Sequence, residues 1–412
     1  MRMSSRVSVT RPVVTPPWVL VLLFLVLVAA SARLLVGSYR YGNLLGTNSP
    51  LFYQAATLGF NYFELGAIRR GLGGTIVYLL SSNPLIGTVY FHLLSAGAVA
   101  AGACLTFARL EASLPTRAAF ALVLIAIMLR WGEDAGRTDM AVAAFLALAT
   151  WAMARGRLVL ACAAVGVGLF IHESSVIFGV PLLTSIALRQ GLKSFPRRVW
   201  WRGTGVLALA LGAYGVIWVL QPSIGTIVDV VRSKFERNDV VDWAIYFAVS
   251  GARGVGASIC QNLTDPSYWV HPVGGLIVIA VAAVALSDDL ASAGPALAVA
   301  TLPPFLFLTF IANDTSRWTN FACFNVWLLL ASTYRSPARA RAPRWLAAVA
   351  ALALLPLSHP KPDKIDYPIY AGSPLFERIV RKFGGPRTPS VEEALARCDP
   401  SWRDALDKAP RP

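Results

Sequence analysis

Residues 158–188 read LVLACAAVGVGLFIHESSVIFGVPLLTSIAL, an apolar run interrupted at its centre by His172-Glu173. Read as one span, the run holds a carboxylate in mid-bilayer, at a cost of about 2.5–3.5 kcal/mol. It also puts Arg155 and Arg157 on the opposite side from Arg189, Lys193, Arg197, Arg198 and Arg202. Read as two short helices, it brings both basic clusters to one side, as the positive-inside rule favours. His172-Glu173 then forms a tip at the other side. The hairpin sets the parity of everything around it.

Outward from the hairpin, the rest of the chain is equally apolar. Of 412 residues, 56% are hydrophobic and 14% charged, with a mean hydropathy of +0.58. Soluble domains carry about 25% charged residues, so a soluble enzyme, a disordered chain and a disulfide scaffold are excluded. The apolar runs are continuous rather than alternating, which excludes a β-barrel. The expected fold is an all-α polytopic membrane protein with about 11 transmembrane helices. They are placed at 18–36, 85–107, 116–130, 139–154, 158–172, 175–188, 204–220, 271–287, 293–311, 318–333 and 344–358. Residues 1–17 form a cytoplasmic tail. The transmembrane domain, 18–358, carries outer loops at 37–84, 130–138 and 221–270. A polar, Pro-rich tail, 359–412, lies outside, with short helices expected at 374–383 and 390–398. Residues 71–82 are too short to span and read as an interfacial or re-entrant helix on the outer side. Ala30-Ser31-Ala32 fits a signal-peptidase site, but the apolar run continues to Val36, which favours an uncleaved anchor.

The net charge of +15 suggests nucleic acid in a soluble protein. Here it follows orientation. The inner segments collect Arg109, Arg117, Arg155, Arg157 and the cluster 189–202 against only Glu111, Asp288 and Asp289. Nucleic acid is therefore not an expected partner; membrane lipid is. The Ala/Arg-rich, Lys-poor composition points to a bacterial inner membrane, with the N-terminus cytoplasmic and the C-terminus outside.

Nearly all the non-basic polar chemistry maps to the outer side, and any reaction belongs at that membrane–water boundary. The first outer loop reads Asn61-Tyr62-Phe63-Glu64-Leu65-Gly66-Ala67-Ile68-Arg69-Arg70-Gly71-Leu72-Gly73-Gly74. Glu64 precedes two arginines and a glycine-rich helix start, and guanidinium forks match phosphate oxygens. An interfacial helix meeting lipid headgroups is the bland alternative. The second reads Arg130-Trp131-Gly132-Glu133-Asp134-Ala135-Gly136-Arg137-Thr138-Asp139. Its acids suit a general base or oxygen ligands for a divalent cation, against a solvated turn with an Arg137–Asp139 pair. His172-Glu173 needs a partner or a water-filled cavity. In Asn313-Asp314-Thr315-Ser316-Arg317-Trp318, Asp314 caps the following helix or joins Arg317 in meeting an anionic headgroup. The long loop 221–270, with Lys234, Glu236, Trp243 and Trp269, reads as a short helical lid.

Cys104, Cys162 and Cys323 fall within spans as small packing residues. Cys260 and Cys398 are the two thiols assigned outside, where the compartment permits a bond. A buried helix with an inert Cys260 thiol is the alternative. No spacing resembles a zinc site.

This layout resembles the GT-C class of integral-membrane glycosyltransferases. The likeness covers residues 18–270: an inside N-terminus, a first outer loop with interfacial helices and an acid, an acidic second outer loop, and a large outer loop after the seventh span. The family's usual first-loop aspartate is absent; Glu64 is the acid in 37–72. The resemblance implies a polyprenyl-phosphate-linked sugar donor and a glycan or lipid acceptor, used in cell-envelope glycan synthesis. Glu64 is the first choice of catalytic base, with Asp134 or Asp139 second. Arg69, Arg70, Arg137 and Arg317 would face phosphate, with His172, Glu173 and Asp314 beside them. The rival classes are a transporter or flippase of a lipid-linked glycan, and a polysaccharide polymerase or ligase.

Overall fold

The computed structural model describes residues 15–40, 44–45, 51–133, 135–191, 194–235, 239–249, 252–264, 270–287, 289–312, 315–334, 391–402 and 404. They form helices α1 (Pro17–Ser31), α2 (Arg33–Arg40), α3 (Phe52–Thr57), α4 (Tyr62–Leu65), α5 (Gly71–Leu80) and α6 (Pro84–Phe107). Next come α7 (Leu114–Glu133), α8 (Asp139–Ala154), α9 (Leu158–Leu169), α10 (Ser174–Gln190), α11 (Arg197–Leu220) and α12 (Ile224–Arg232). The series ends with α13 (Asp239–Val249), α14 (Ala252–Thr264), α15 (Val270–Leu286), α16 (Leu290–Ile311), α17 (Thr315–Thr333) and α18 (Val391–Cys398). No strand occurs among the described residues. The chain is an all-α membrane protein.

Ten of the expected spans coincide with helices, but only four, Pro84–Phe107, Leu114–Gly132, Arg197–Leu220 and Leu290–Ile311, are by themselves long and apolar enough to cross a membrane. The expected span 344–358 and helix 374–383 lie outside the described residues. Three sequence boundaries need correction. The run 18–36 breaks at Ala32 into α1 and α2. The acidic second loop is shorter than expected, because α7 continues to Glu133. The lid is the three helices α12–α14. The 158–188 run is the expected hairpin, with α9 only 12 residues long. At 1.5 Å rise per residue α9 reaches about 18 Å, well short of a hydrocarbon core of about 30 Å.

Local chemistry sets several helix starts and repairs. Asn83 accepts the N–H groups of Leu85 and Ile86, and Pro84 opens α6 with its φ already helical. In α16, Pro304 removes the N–H that would reach the Ala300 carbonyl; Asn325 of α17 donates to that carbonyl at 3.0 Å instead. Asn262 of α14 donates to the carbonyls of Thr309 and Phe310 in the last turn of α16 (3.2 and 2.9 Å).

Two hydrophobic cores result. The larger threads α1, α6–α10 and α15–α17 and is rich in Ala, Leu and Phe, with Phe178, Phe305, Phe321 and Trp327 fully buried. Small residues permit this packing, as expected where lipid removes the hydrophobic drive between helices. The smaller core gathers Leu51, Phe60, Ile68, Ile227, Phe235, Ile245, Tyr246, Leu395 and Trp402 from α3–α4, α12–α13 and the C-terminal segment. It forms a cap over one end of the bundle, beside the His172-Glu173 tip. α5 begins and ends on this side: Gly73 faces Thr138 and Ile171, and Leu80 leads directly into the start of α6. At 10 residues it is among the apolar helices shorter than a span. α11 flanks the bundle, and among its residues only Gly203 and Tyr214 are buried.

Candidate functional site: an arginine–carboxylate cluster under the cap

The hairpin tip is a tight turn held by backbone bonds and by the His172 ring, which accepts the Ser174 N–H at 3.1 Å. Glu173 precedes α10 without using its carboxylate as a cap. Ser175 ties back to the Val165 carbonyl at 2.9 Å. The Glu173 carboxylate faces the start of α5 and the side of α11. Arg70 Nε donates to Oε2 at 2.7 Å, Arg69 Nε lies 3.5 Å from Oε1, and the Tyr214 hydroxyl donates to Oε1 at 2.5 Å. The Arg69 guanidinium also stacks 4.6 Å from the Trp218 ring, one turn beyond Tyr214.

Arg70 adopts φ 61°, the one positive φ at a non-glycine among the described residues. Such a conformation is disfavoured for an L residue with a long side chain. It persists because α5 is packed too closely to shift: a Cβ on Gly74 would overlap the Phe60 carbonyl. The turn delivers both arginines to one carboxylate.

A second pair lies alongside. Arg317, in the first turn of α17, grips Asp139 at the start of α8 with both nitrogens of its fork, Nε donating to Oδ2 at 2.7 Å. Asp139 is 2% exposed, and the guanidinium also lies 4.8 Å from the Trp318 ring. The alternative Arg137–Asp139 pair is thereby replaced. His172 joins the two pairs: Arg69, Arg70 and Arg317 all act on its charge state.

Burial opposes ionisation of Glu173, but Arg70, Arg69 and the Tyr214 hydroxyl overcome it and hold the carboxyl well below the usual range. Burial and Arg70 push His172 well below its ordinary value, so the imidazole is neutral and the arginines hold Glu173 charged. Burial, then Arg70, also lowers Arg69. Three guanidiniums thus face two carboxylates and one neutral ring. The excess positive charge suits a phosphate-type oxyanion.

Glu64 stands apart from this cluster. Its carboxylate pairs with Lys234, just beyond α12, and with Asn61, which also caps α4. It remains the accessible acid of the loop, 31% exposed. Arg137 is half-buried between Gly136 and Thr138. Asp134 and Asp314 lie outside the described residues. Among the described residues, no group of three or more His, Cys, Asp or Glu side chains could hold a metal ion.

Four contributors were missed in the sequence. Tyr214 and Trp218 sit one turn apart on an apolar helix, a pattern equally typical of interfacial anchors. Lys234 read as one more charge in a loop. His92, fully buried, accepts the Gly136 N–H at Nδ1 (3.0 Å) and bonds the Ser31 carbonyl through Nε2 (2.9 Å), fixing the second loop to the end of α1.

Comparison with protein-family models, curated proteins and solved structures gave no match. The fold and site therefore define a class, a helical membrane protein with a capped cationic cluster.

Proposed function

We propose that the chain is a glycosyltransferase that uses a polyprenyl-phosphate-linked sugar donor at the capped, outer face of a bacterial inner membrane, in cell-envelope glycan synthesis. The observation that carries this reading is the gathering of Arg69, Arg70 and Arg317 about the His172-Glu173 turn between α9 and α10, with a partly exposed carboxylate, Glu64, on the neighbouring α4. Tyr62, opening the helix that bears Glu64, packs on Gly71, which follows Arg70. In the reaction an acceptor hydroxyl attacks the anomeric carbon. Its proton passes to Glu64, and the bond from that carbon to the phosphate oxygen breaks. The electron pair leaves with the polyprenyl phosphate, whose growing charge the guanidiniums stabilise.

Asp139, 2% exposed in the Arg317 fork, and Glu173, held by Arg70 and the Tyr214 hydroxyl, are less accessible than Glu64, which is 31% exposed and bonded at Oε2 alone by Lys234 and Asn61. The flippase alternative calls for polar groups along a path through the bundle. The buried Asn320 and Asn325 instead donate their amide N–H groups to the carbonyls of Ile127, Phe178 and Ala300. The proposal keeps the GT-C-like layout, eleven crossings, a cytoplasmic N-terminus and an outside C-terminus. An impermeant thiol reagent reaching a single cysteine at position 195 from outside would refute that orientation.

The test of chemistry is Glu64→Gln. Losing a general base lowers the rate by about 10²–10⁴, while fold and expression hold because the residue is partly exposed. Full transfer activity in this variant would move the base to Asp134 or Asp139. Activity in all three variants would end the enzyme reading.

A further inference from the structure

We propose that His172 is a binding residue of the cationic cluster and donates a hydrogen bond from Nε2–H to an oxygen of a phosphate-bearing ligand. This rests on the reading that the arginine cluster receives such a ligand. The geometry of one ring carries it. His172 is 9% exposed. Its Nδ1 accepts the backbone N–H of Ser174 at 3.1 Å. A backbone N–H can only donate, so Nδ1 carries no proton and the neutral ring keeps its proton on Nε2. The Glu173 carboxylate lies 3.6 Å from Nδ1, beyond hydrogen-bond range, and does not claim that proton.

Among the described residues Nε2 has no hydrogen-bond partner. The ring is largely buried, but its Nε2 is not sealed from solvent, so an entering acceptor can reach it. Here the surroundings predict what that acceptor is. Glu173 lies beside the ring with Arg70 and Arg69 on its carboxylate, and these three, with Arg317, are the charged groups near enough to bias the ring's charge. An acceptor entering among three guanidiniums must be an anion, and a tetrahedral oxyanion offers enough oxygens for the arginines and the imidazole together. A neutral donor suits the position better than a fourth cation, because it adds a hydrogen bond without like-charge repulsion. Burial and Arg70 keep the ring in that neutral form.

The oxyanion has two sources, a free phosphate or the headgroup of a lipid phosphate. Trp218, which stacks on Arg69, lies on α11, whose apolar Val216, Val219 and Leu220 are exposed. The two sources are separable by experiment.

Full-length protein in detergent micelles, with ¹⁵N-labelled histidine, is titrated with inorganic phosphate and separately with dodecyl phosphate. The chain has four histidines, and His172→Gln assigns the resonance. The expected result is a saturable shift of the His172 Nε2 signal with the Nε2–H tautomer retained. A response to both probes identifies free anion as sufficient, and a response to dodecyl phosphate alone identifies a lipid headgroup; either supports the proposal. His172→Phe should weaken probe binding about tenfold, and His172→Gln, which keeps an N–H donor, should lose less. Probe binding that leaves the His172 signal unmoved, with affinity unchanged in His172→Phe, overturns the proposal. Arg70→Gln tells that failure from a deeper one. If Arg70→Gln loses binding while His172→Phe keeps it, only the histidine's role falls. If neither probe binds the unaltered protein, or Arg70→Gln binds as well as it does, the phosphate reading of the cluster falls too.

Discussion

The bundle and the cap are built from the same chain but held together by different forces. The bundle core is apolar and close-packed, and its buried Asn320 and Asn325 donate their amide N–H groups to backbone carbonyls, one of them freed by Pro304. The cap has a small core, and electrostatic and covalent ties supplement it. Cys260 and Cys398 form a disulfide with Cα atoms 5.8 Å apart. Arg253 donates to both Asp399 oxygens, at 2.5 Å each, and the Tyr246 hydroxyl donates to Asp399 at 2.5 Å. Trp402 packs edge-on to Tyr246, and Arg232 grips Asp242 across the α12–α13 turn. Lys234, just beyond α12, ties to α4 through Glu64. The contrast teaches where rigidity comes from. A small core exposed to water does not bury enough area to hold a polar segment in place, and cross-links supply the rest.

The largest expected effect tests that dependence. The disulfide closes a sequence separation of 138 residues, worth roughly 4–5 kcal/mol by chain entropy. Cys260→Ser should release the α18 segment to protease and hydrogen exchange while the bundle amides stay protected. Equal loosening of both regions would erase the distinction between them.

Next comes the junction. Glu173→Gln removes the charge that holds Arg69 and Arg70 under the cap, and stranding such a mostly buried pair costs about 3 kcal/mol. Thermal unfolding in detergent should shift downward, and the start of α5 should gain exchange. An unchanged midpoint would mean that the cluster contributes nothing to docking α5 on the bundle.

A smaller effect follows from pH. The Arg253 hydrogen bonds, against opposing burial, depress the Asp399 pKa, with Tyr246 adding to the shift. A depressed carboxyl stabilises the folded form above its unfolded pKa, and that contribution is lost as the pH falls through the folded value. With the disulfide intact, the packing of Trp402 in the α18 segment should therefore loosen on acidification below the ordinary aspartate range, with no matching change near neutrality. Trp402 fluorescence against pH measures it. Release on raising the pH through 7–9 would contradict the assignment.

The smallest effect belongs to the lipid-facing flank. Nothing lies within 4 Å of a Cβ added at Gly212 of α11, so Gly212→Ala should be neutral or stabilise the helix by at most about 1 kcal/mol. A large loss of stability would show that α11 packs against something there, and would remove its role as the exposed flank of the site.

Much of this architecture was legible in the sequence. The His172-Glu173 interruption together with its flanking basic clusters gave the hairpin, because charge placement and the cost of a buried carboxylate act along the chain. The same reasoning put the polar chemistry on one face and left Cys260 and Cys398 together on it. Helix lengths were less legible, since hydropathy does not see where a cap such as Asn83 starts a helix or where Ala32 breaks one. The pairings were decided by tertiary structure alone. Arg70 meets Glu173 103 residues away, and Arg317 meets Asp139 178 residues away. Glu64, the acid nearest in sequence to the two arginines, pairs instead with Lys234, 170 residues on. A long guanidinium can reach any of several carboxylates. Which one it finds depends on how α5, α8, α11 and α17 are set side by side, and that is fixed by the shapes of apolar faces far from any charge.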